Sequence, residues 1–271
     1  VSWTGAGGDL NWSNANNWSG GVLPGSLDDV TINVAGPVVI NHATGSDSIH
    51  SLVLDDALSL TGGTLTVSNT FQVNNTFTLA GGTLHSASLT TGTAGSVVIT
   101  SGKLDGVTTS ANLDLTTIAG ANVHVVNGLT LNNATIYVGN AAGTTYGDLY
   151  FDSTETLGGT GTVLFGKSGN NTLYSNTTGA QGVSLTIGSG ITVRGSSGRL
   201  SDYYQTKIIN QGTIAADDSG GAVPGYVYDT AFSGYSYNTP GTAAAIDTTG
   251  VTNPAPQAVY QTARQGDGLS Y

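Results

Sequence analysis

The sequence predicts an all-β fold, a parallel β-solenoid, and three observations predict it. First, Gly62-Gly63-Thr64-Leu65 returns as Gly81-Gly82-Thr83-Leu84 and, more loosely, as Ser101-Gly102-Lys103-Leu104. That spacing of roughly 19 to 20 residues lies in the range of stacked repeats. Second, from about Val38 to Ile214 the chain is a succession of short apolar pieces such as "SLVL", "TLTV", "TIYV", "DLYF" and "SLTI". Their apolar positions fall two apart, the period of a strand with one face inward, and helical periodicity is absent. Third, only 8% of the residues are charged while 41 are glycine. Uncharged polar residues and β-formers therefore carry the chain, with Gly and Asn free to make sharp corners.

Strands this short form no stable sheet alone. Stacked as successive turns ~4.8 Å apart, they pair their backbones and bury their inward side chains in continuous columns.

In chain order, residues 1–37 read as an N-terminal cap. They contain all three tryptophans, Trp3, Trp12 and Trp18, among Gly, Asn and Pro turns, and end in the strand-like Val30-Thr31-Ile32. The tryptophans are expected to plug the end of the core, because a solenoid end exposes apolar interior and unpaired strand edges; an aromatic sugar platform is the other reading. Residues 38–216 are the predicted solenoid. Residues 217–271 form a strand-rich tail in which tyrosine is dense and Pro224, Pro240, Pro254 and Pro256 appear.

Two resemblances follow from particular residues. Trp3-x-Gly5, Asn11-Trp12-Ser13, Asn17-Trp18, Leu23-Pro24-Gly25 and Asp28-Asp29-Val30-Thr31-Ile32, followed by the GGTL turns, resemble the start of large secreted bacterial β-helix proteins of the autotransporter and haemagglutinin type. The likeness implies a right-handed parallel β-helix, a bacterial cell-surface or extracellular location, and a structural or adhesive role. The stretch "IDTTGVTNPAPQAVYQTAR", Ile246 to Arg264, resembles the beginning of a malectin-like carbohydrate-binding module. That likeness implies sugar binding through aromatic and polar loop residues, for which Tyr226, Tyr228, Asp229, Tyr260 and Arg264 are the candidates; the same side chains suit an interface equally well. About fifty residues cannot close such a module's sandwich, so a tail that adds to a neighbouring chain is the alternative use.

Charge and composition exclude several functions. A net charge of −11, from 17 acidic and 6 basic residues, leaves no basic footprint for nucleic acid. Without cysteine there are no disulfides, thiolate metal sites or thiol catalysis. Methionine is absent too, and the expectation is a processed segment that has lost a secretory signal. No run approaches the ~18 apolar residues of a membrane span.

For an enzyme acting on polysaccharide, the raw material is Asp148, Asp152 and Glu155 with Arg194, Arg199 and Lys207. Carboxylates on successive turns could face each other as glycoside hydrolysis requires, but solvated outer faces account for them more simply. His42, His50, His85 and His124 are scattered, and no serine-hydrolase, zinc-protease or phosphate-loop pattern occurs. Asp28-Asp29, Asp55-Asp56 and Asp217-Asp218 raise calcium, yet no calcium-loop motif surrounds them, and turn formation is the expected use. Thr64/Thr66, Thr76/Thr78 and Thr90/Thr91 suggest an ice-binding ladder whose spacing is not held from turn to turn. Glycosylation sequons begin at Asn11, Asn17, Asn74, Asn133, Asn170 and Asn176.

The sequence thus predicts no enzyme and no cofactor, but a structural surface protein that self-associates, head to tail through its ends and tail, into a stalk, matrix or fibre. Carbohydrate recognition is the second reading, with polysaccharide as the partner.

Overall fold

The computed structural model describes residues 1–176, 183–202 and 206–216, together with the backbone of the strands Gly225–Tyr228 and Ile246–Asp247. It forms two compact units, Val1–Asp114 and Leu115–Tyr271. Each is a stack of parallel strands wound as a β-solenoid. Helix among the described residues amounts to the 3-10 turn Ala15–Asn17, so no helix is long and apolar enough to cross a membrane.

In the first unit each turn lays down three strands. Asp29–Ile32, Val39–His42 and Ser46–Ile49 form the first turn, and Ser51–Leu54, Ala57–Leu60 and Thr64–Val67 the second. The third comprises Thr70–Val73 and the long strand Thr76–His85, which rounds a corner. Alternation points every second side chain inward, where register aligns it with its counterparts. One column runs Ile40, Leu58, Phe77, Val97, Leu113. Another runs Val30, Leu52, Phe71, Leu89. All of these residues are buried.

The GGTL repeat marks one corner of this winding. Thr64 stacks on Thr83 and Thr83 on Lys103. The glycine just before each must pass close to the turn before: a Cβ on Gly63 would lie 2.3 Å from the Gly45 carbonyl oxygen, and one on Gly102 2.7 Å from that of Gly82. Gly63 also sits at φ +68°, a left-handed conformation that glycine adopts without steric cost. The motif recurs because the corner recurs.

The tryptophans close the first turn. Parallel bridges join Ser2 to Thr31 and Asn11 to Asn41, so cap residues pair with two of that turn's three strands. Trp3 and Trp12 each meet Trp18 edge to face at 4.9 and 4.7 Å, and Trp18 Nε1 donates to the Trp12 carbonyl at 2.8 Å. All three rings are buried, as the plug reading expects and the exposed platform does not.

The second unit repeats the design with longer and more variable turns. Ala121–Val138 is one continuous strand that spans corners. Its first part is followed in register by Gly147–Phe151, Thr172–Ser175, Gly198–Asp202 and Gly225–Tyr228. Its remainder is followed by Glu155–Phe165, Ser184–Ile187 and Gly190–Gly195. Strand pairing therefore continues past residue 216: Gly225–Tyr228 pairs with Gly198–Asp202, and Ile246–Asp247 with Lys207–Asn210.

Candidate functional site

Some of the second unit's chemistry-bearing residues share one strand face. Its inward column is Val123, Leu149, Leu173 and Leu200, all buried. Alternation turns the residues between them away from the core, producing two further columns: Asn122, Asp148, Thr172, Arg199, of which Thr172 is buried, and beside it His124, Tyr150, Tyr174, Ser201.

The second outer column stacks its rings. His124 and Tyr150 lie 4.6 Å apart at 12°, and Tyr150 and Tyr174 4.8 Å apart at 5°. Parallel strands repeat every 4.7–4.9 Å, so the rings follow the backbone spacing and lie in the range of offset stacking. Burial, then the nearby carboxylate of Asp148, pushes the Tyr150 phenol up to about 12, so the stack holds a neutral phenol at physiological pH.

A polar rim borders the rings. His124 Nδ1 lies 2.8 Å from Asp152 Oδ2, and Asn176 Nδ2 donates to Asp152 Oδ1 at 2.8 Å. Burial raises the Asp148 carboxyl above its usual range, while a hydrogen bond with Thr172 and the charge of Arg199 pull the other way. Arg199 forms no ion pair among the described residues, and its buried Nε has no hydrogen-bond partner.

The structure brings Asp148, Asp152 and Arg199 to this face and takes their companions elsewhere. Glu155 is buried in register with Leu185, where it accepts from Ser153 Oγ at 2.6 Å and from the Gly128 amide at 3.3 Å. Arg194 follows Leu164 on a different strand column, and Lys207 pairs with Ser184. Tyr226 and Tyr228 take the next register positions after Arg199 and Ser201. Asp229, Tyr260 and Arg264 lie outside the described residues, as do Asp217 and Asp218 and the malectin-like stretch beyond Asp247.

All four histidines are bonded to aspartate. His50 reaches back one turn to Asp29 at 2.8 Å, and His124 pairs with Asp152 and His85 with Asp105, each on the following turn, at 2.8 and 2.9 Å. His42 pairs with Asp47 within the first turn at 2.9 Å. The aspartate pairs also serve the winding: Asp55 accepts from Asn74 and Asn33, and Asp56 from the Val34 amide. Among the described residues no group of three or more acidic, His or Cys side chains could hold a metal ion. Of the sequons, Asn17 is buried and bonded to Asp9, Gly7 and Asn11, whereas Asn133 and Asn170 are exposed.

Two outer features escaped the sequence reading, the ring stack and a threonine column of Thr135, Thr162, Thr192 and Thr213. Their signal was present: "LYF" and "LYS" hold tyrosine at the same place relative to an inward leucine, and "TIY", "TVL", "TVR" and "TIA" do so for threonine. By contrast Thr66 stacks on His85 and Thr90 on Gln72, so the ladder sought there is broken.

No protein-family model matches this chain, and no match to it is found among curated proteins or solved structures.

Proposed function

We propose that this chain is a structural protein of the bacterial cell surface or extracellular space, the repeating subunit of a stalk, matrix or fibre with an adhesive role. What carries the reading is the use made of its few ionisable groups: three of the four histidines join successive turns to aspartates. An imidazole held in that way ties one turn of the winding to the next. Continuous inward columns supply the rest, since every added turn buries apolar surface on both neighbours.

Assembly runs head to tail, the expected product of an interface that does not close on itself, with the tail after residue 216 contacting the next subunit by strand addition. Support comes from Gly225–Tyr228 and Ile246–Asp247, which already pair as parallel strands at that end. The likeness of Ile246 to Arg264 to a malectin-like module leaves Tyr260 and Arg264 as candidate contacts. Sedimentation and electron microscopy of the purified chain over a wide concentration range test this. Filaments that disappear when residues 217–271 are deleted are expected; uniform monomers at every concentration would overturn the proposal.

A further inference from the structure

Tyr150 and Tyr174 are register partners on successive turns of the second unit, and both are half-buried. Their rings lie 4.8 Å apart and within 5° of parallel. Among the described residues this is the one contact between two tyrosine rings. Tyr137, by contrast, has Leu164 as its partner on the next turn. The chain has no cysteine, so no disulfide can tie one turn to another.

Two phenols held face to face have a reaction open to them that a lone phenol lacks. A one-electron oxidant removes an electron from each ring, and each O–H proton leaves with it. The radicals so formed carry spin on the ring carbons ortho to oxygen. When two are adjacent, a carbon–carbon bond forms between an ortho carbon of one ring and an ortho carbon of the other. The hydrogens on those two carbons then pass as protons to the oxygens, which restores both phenols. The chain has lost two hydrogen atoms in all, and hydrogen peroxide takes up the two electrons and two protons to become two molecules of water. We infer that Tyr150 and Tyr174 are a site of oxidative cross-linking, joined as dityrosine by a peroxidase-type one-electron oxidant and hydrogen peroxide.

The fold supplies what this coupling needs. Strand pairing fixes the two backbones one strand spacing apart, and stacking aligns the rings before either is oxidised, so proximity replaces a chance encounter. Rotation about the side-chain bonds closes the remaining distance. Because neither ring is fully buried, each offers an edge to the oxidant. The new bond would close the loop between two successive turns and remove conformations from the unfolded chain, as a disulfide does. The site lies within one chain and does not depend on the proposed assembly.

The test is to treat the dilute full chain with a haem peroxidase and hydrogen peroxide, then denature it, digest it with trypsin and analyse the peptides by mass spectrometry. Cleavage after Lys103, Lys167 and Arg194 places Tyr150 in the peptide 104–167 and Tyr174 in the peptide 168–194, where it is the only tyrosine. These two peptides are expected joined, lighter by two hydrogens than their sum, with dityrosine fluorescence and a raised melting temperature of the oxidised chain. Tyr150→Phe and Tyr174→Phe, which keep the stacked ring and are verified as folded by circular dichroism, each lose the joined peptide. The inference is overturned if the wild type yields no such peptide or yields it only from covalent dimers. It is equally overturned if the peptide persists in Tyr150→Phe, since Tyr137 or Tyr146 would then be the partner. Absence of filaments leaves each of these readings unchanged, so the two proposals fall separately.

Discussion

His42 Nε2 lies 2.9 Å from Asp47 Oδ2 at two inward positions that later turns fill with apolar side chains. Below His42 the column continues as Leu60, Leu79 and Ile99, and below Asp47 as Leu65, Leu84 and Leu104. The imidazole is fully buried and Asp47 is 15% exposed. The other ring nitrogen faces the Gly62 carbonyl at 3.0 Å, so it must carry the proton of that bond, and Trp12 packs on the ring at 5.5 Å. The pair satisfies itself where the apolar core meets the tryptophan cap.

A pair of that kind is costly to break and easy to replace. His42→Ala leaves the Asp47 carboxylate largely buried without its partner and is expected to cost on the order of 3–5 kcal/mol. His42→Leu with Asp47→Leu extends both columns by one turn and should recover most of the loss, to within about 2 kcal/mol of wild type. Urea unfolding of the variants measures both. A double variant as damaged as the single would show that these columns do not accept leucine here.

The stacked corner predicts a difference between two glycines. Gly63 and Gly8 both have positive φ, +68° and +79°, but a Cβ on Gly8 meets nothing within 4 Å whereas one on Gly63 strikes the turn before. Gly8→Ala is expected to cost only the conformational strain, about 1–2 kcal/mol. Gly63→Ala adds a backbone collision and should cost a further 1–3 kcal/mol or so. Equal losses in thermal melts would mean that the corner relaxes freely and that stacking does not select glycine.

What the sequence made legible follows from how regular each unit is. In the first, successive turns are of nearly equal length, so GGTL recurs at a visible spacing and the inward leucines align by counting. In the second, Gly139 to Tyr146 and Gly166 to Asn171 are inserted between strands, and His124, Tyr150 and Tyr174 come together through register despite unequal spacing. The cap was readable because three tryptophans in one short segment have few uses other than burial. His42 and Asp47 were not, because each is unremarkable alone and only their bond makes two polar residues acceptable at core positions.

Glu155 makes the unit's stability depend on pH in the direction opposite to a salt-bridged carboxylate. Burial raises its pKa above 4.5, against hydrogen bonds from Ser153 and Gly128. Between that value and the raised one the folded chain holds more protons than the unfolded chain, so stability falls as pH rises through the window and stays lower above it. Asp148 acts in the same sense. Asp9 and Asp29, whose carboxyls are lowered chiefly by hydrogen bonds with Asn11 and Ser51, act oppositely and lose their contribution as pH falls below the ordinary range. Glu155→Gln keeps an oxygen for the Gly128 amide and removes the ionisation. Its melting temperature should exceed wild type at pH 7.5 by more than at pH 4; the same difference at both would refute the burial argument.

The ring stack also predicts an order of effects that position alone decides. Tyr150 has a ring on each side, His124 and Tyr174, whereas Tyr174 has Tyr150 on one side and Ser201 on the other. Each stacked contact contributes about 0.5–1.5 kcal/mol beyond area burial. Tyr150→Ala therefore loses two contacts and about 1–3 kcal/mol from stacking, and Tyr174→Ala loses one and about half as much. Tyr150→Phe, which keeps the ring, should cost less than either. Because the rings share partners the losses are not additive: once Tyr150 is alanine, Tyr174→Ala has no stacking left to lose. A double-mutant cycle in guanidinium measures that coupling directly. A value indistinguishable from zero would mean that the rings are merely parallel, held by the strand spacing, and contribute nothing through contact.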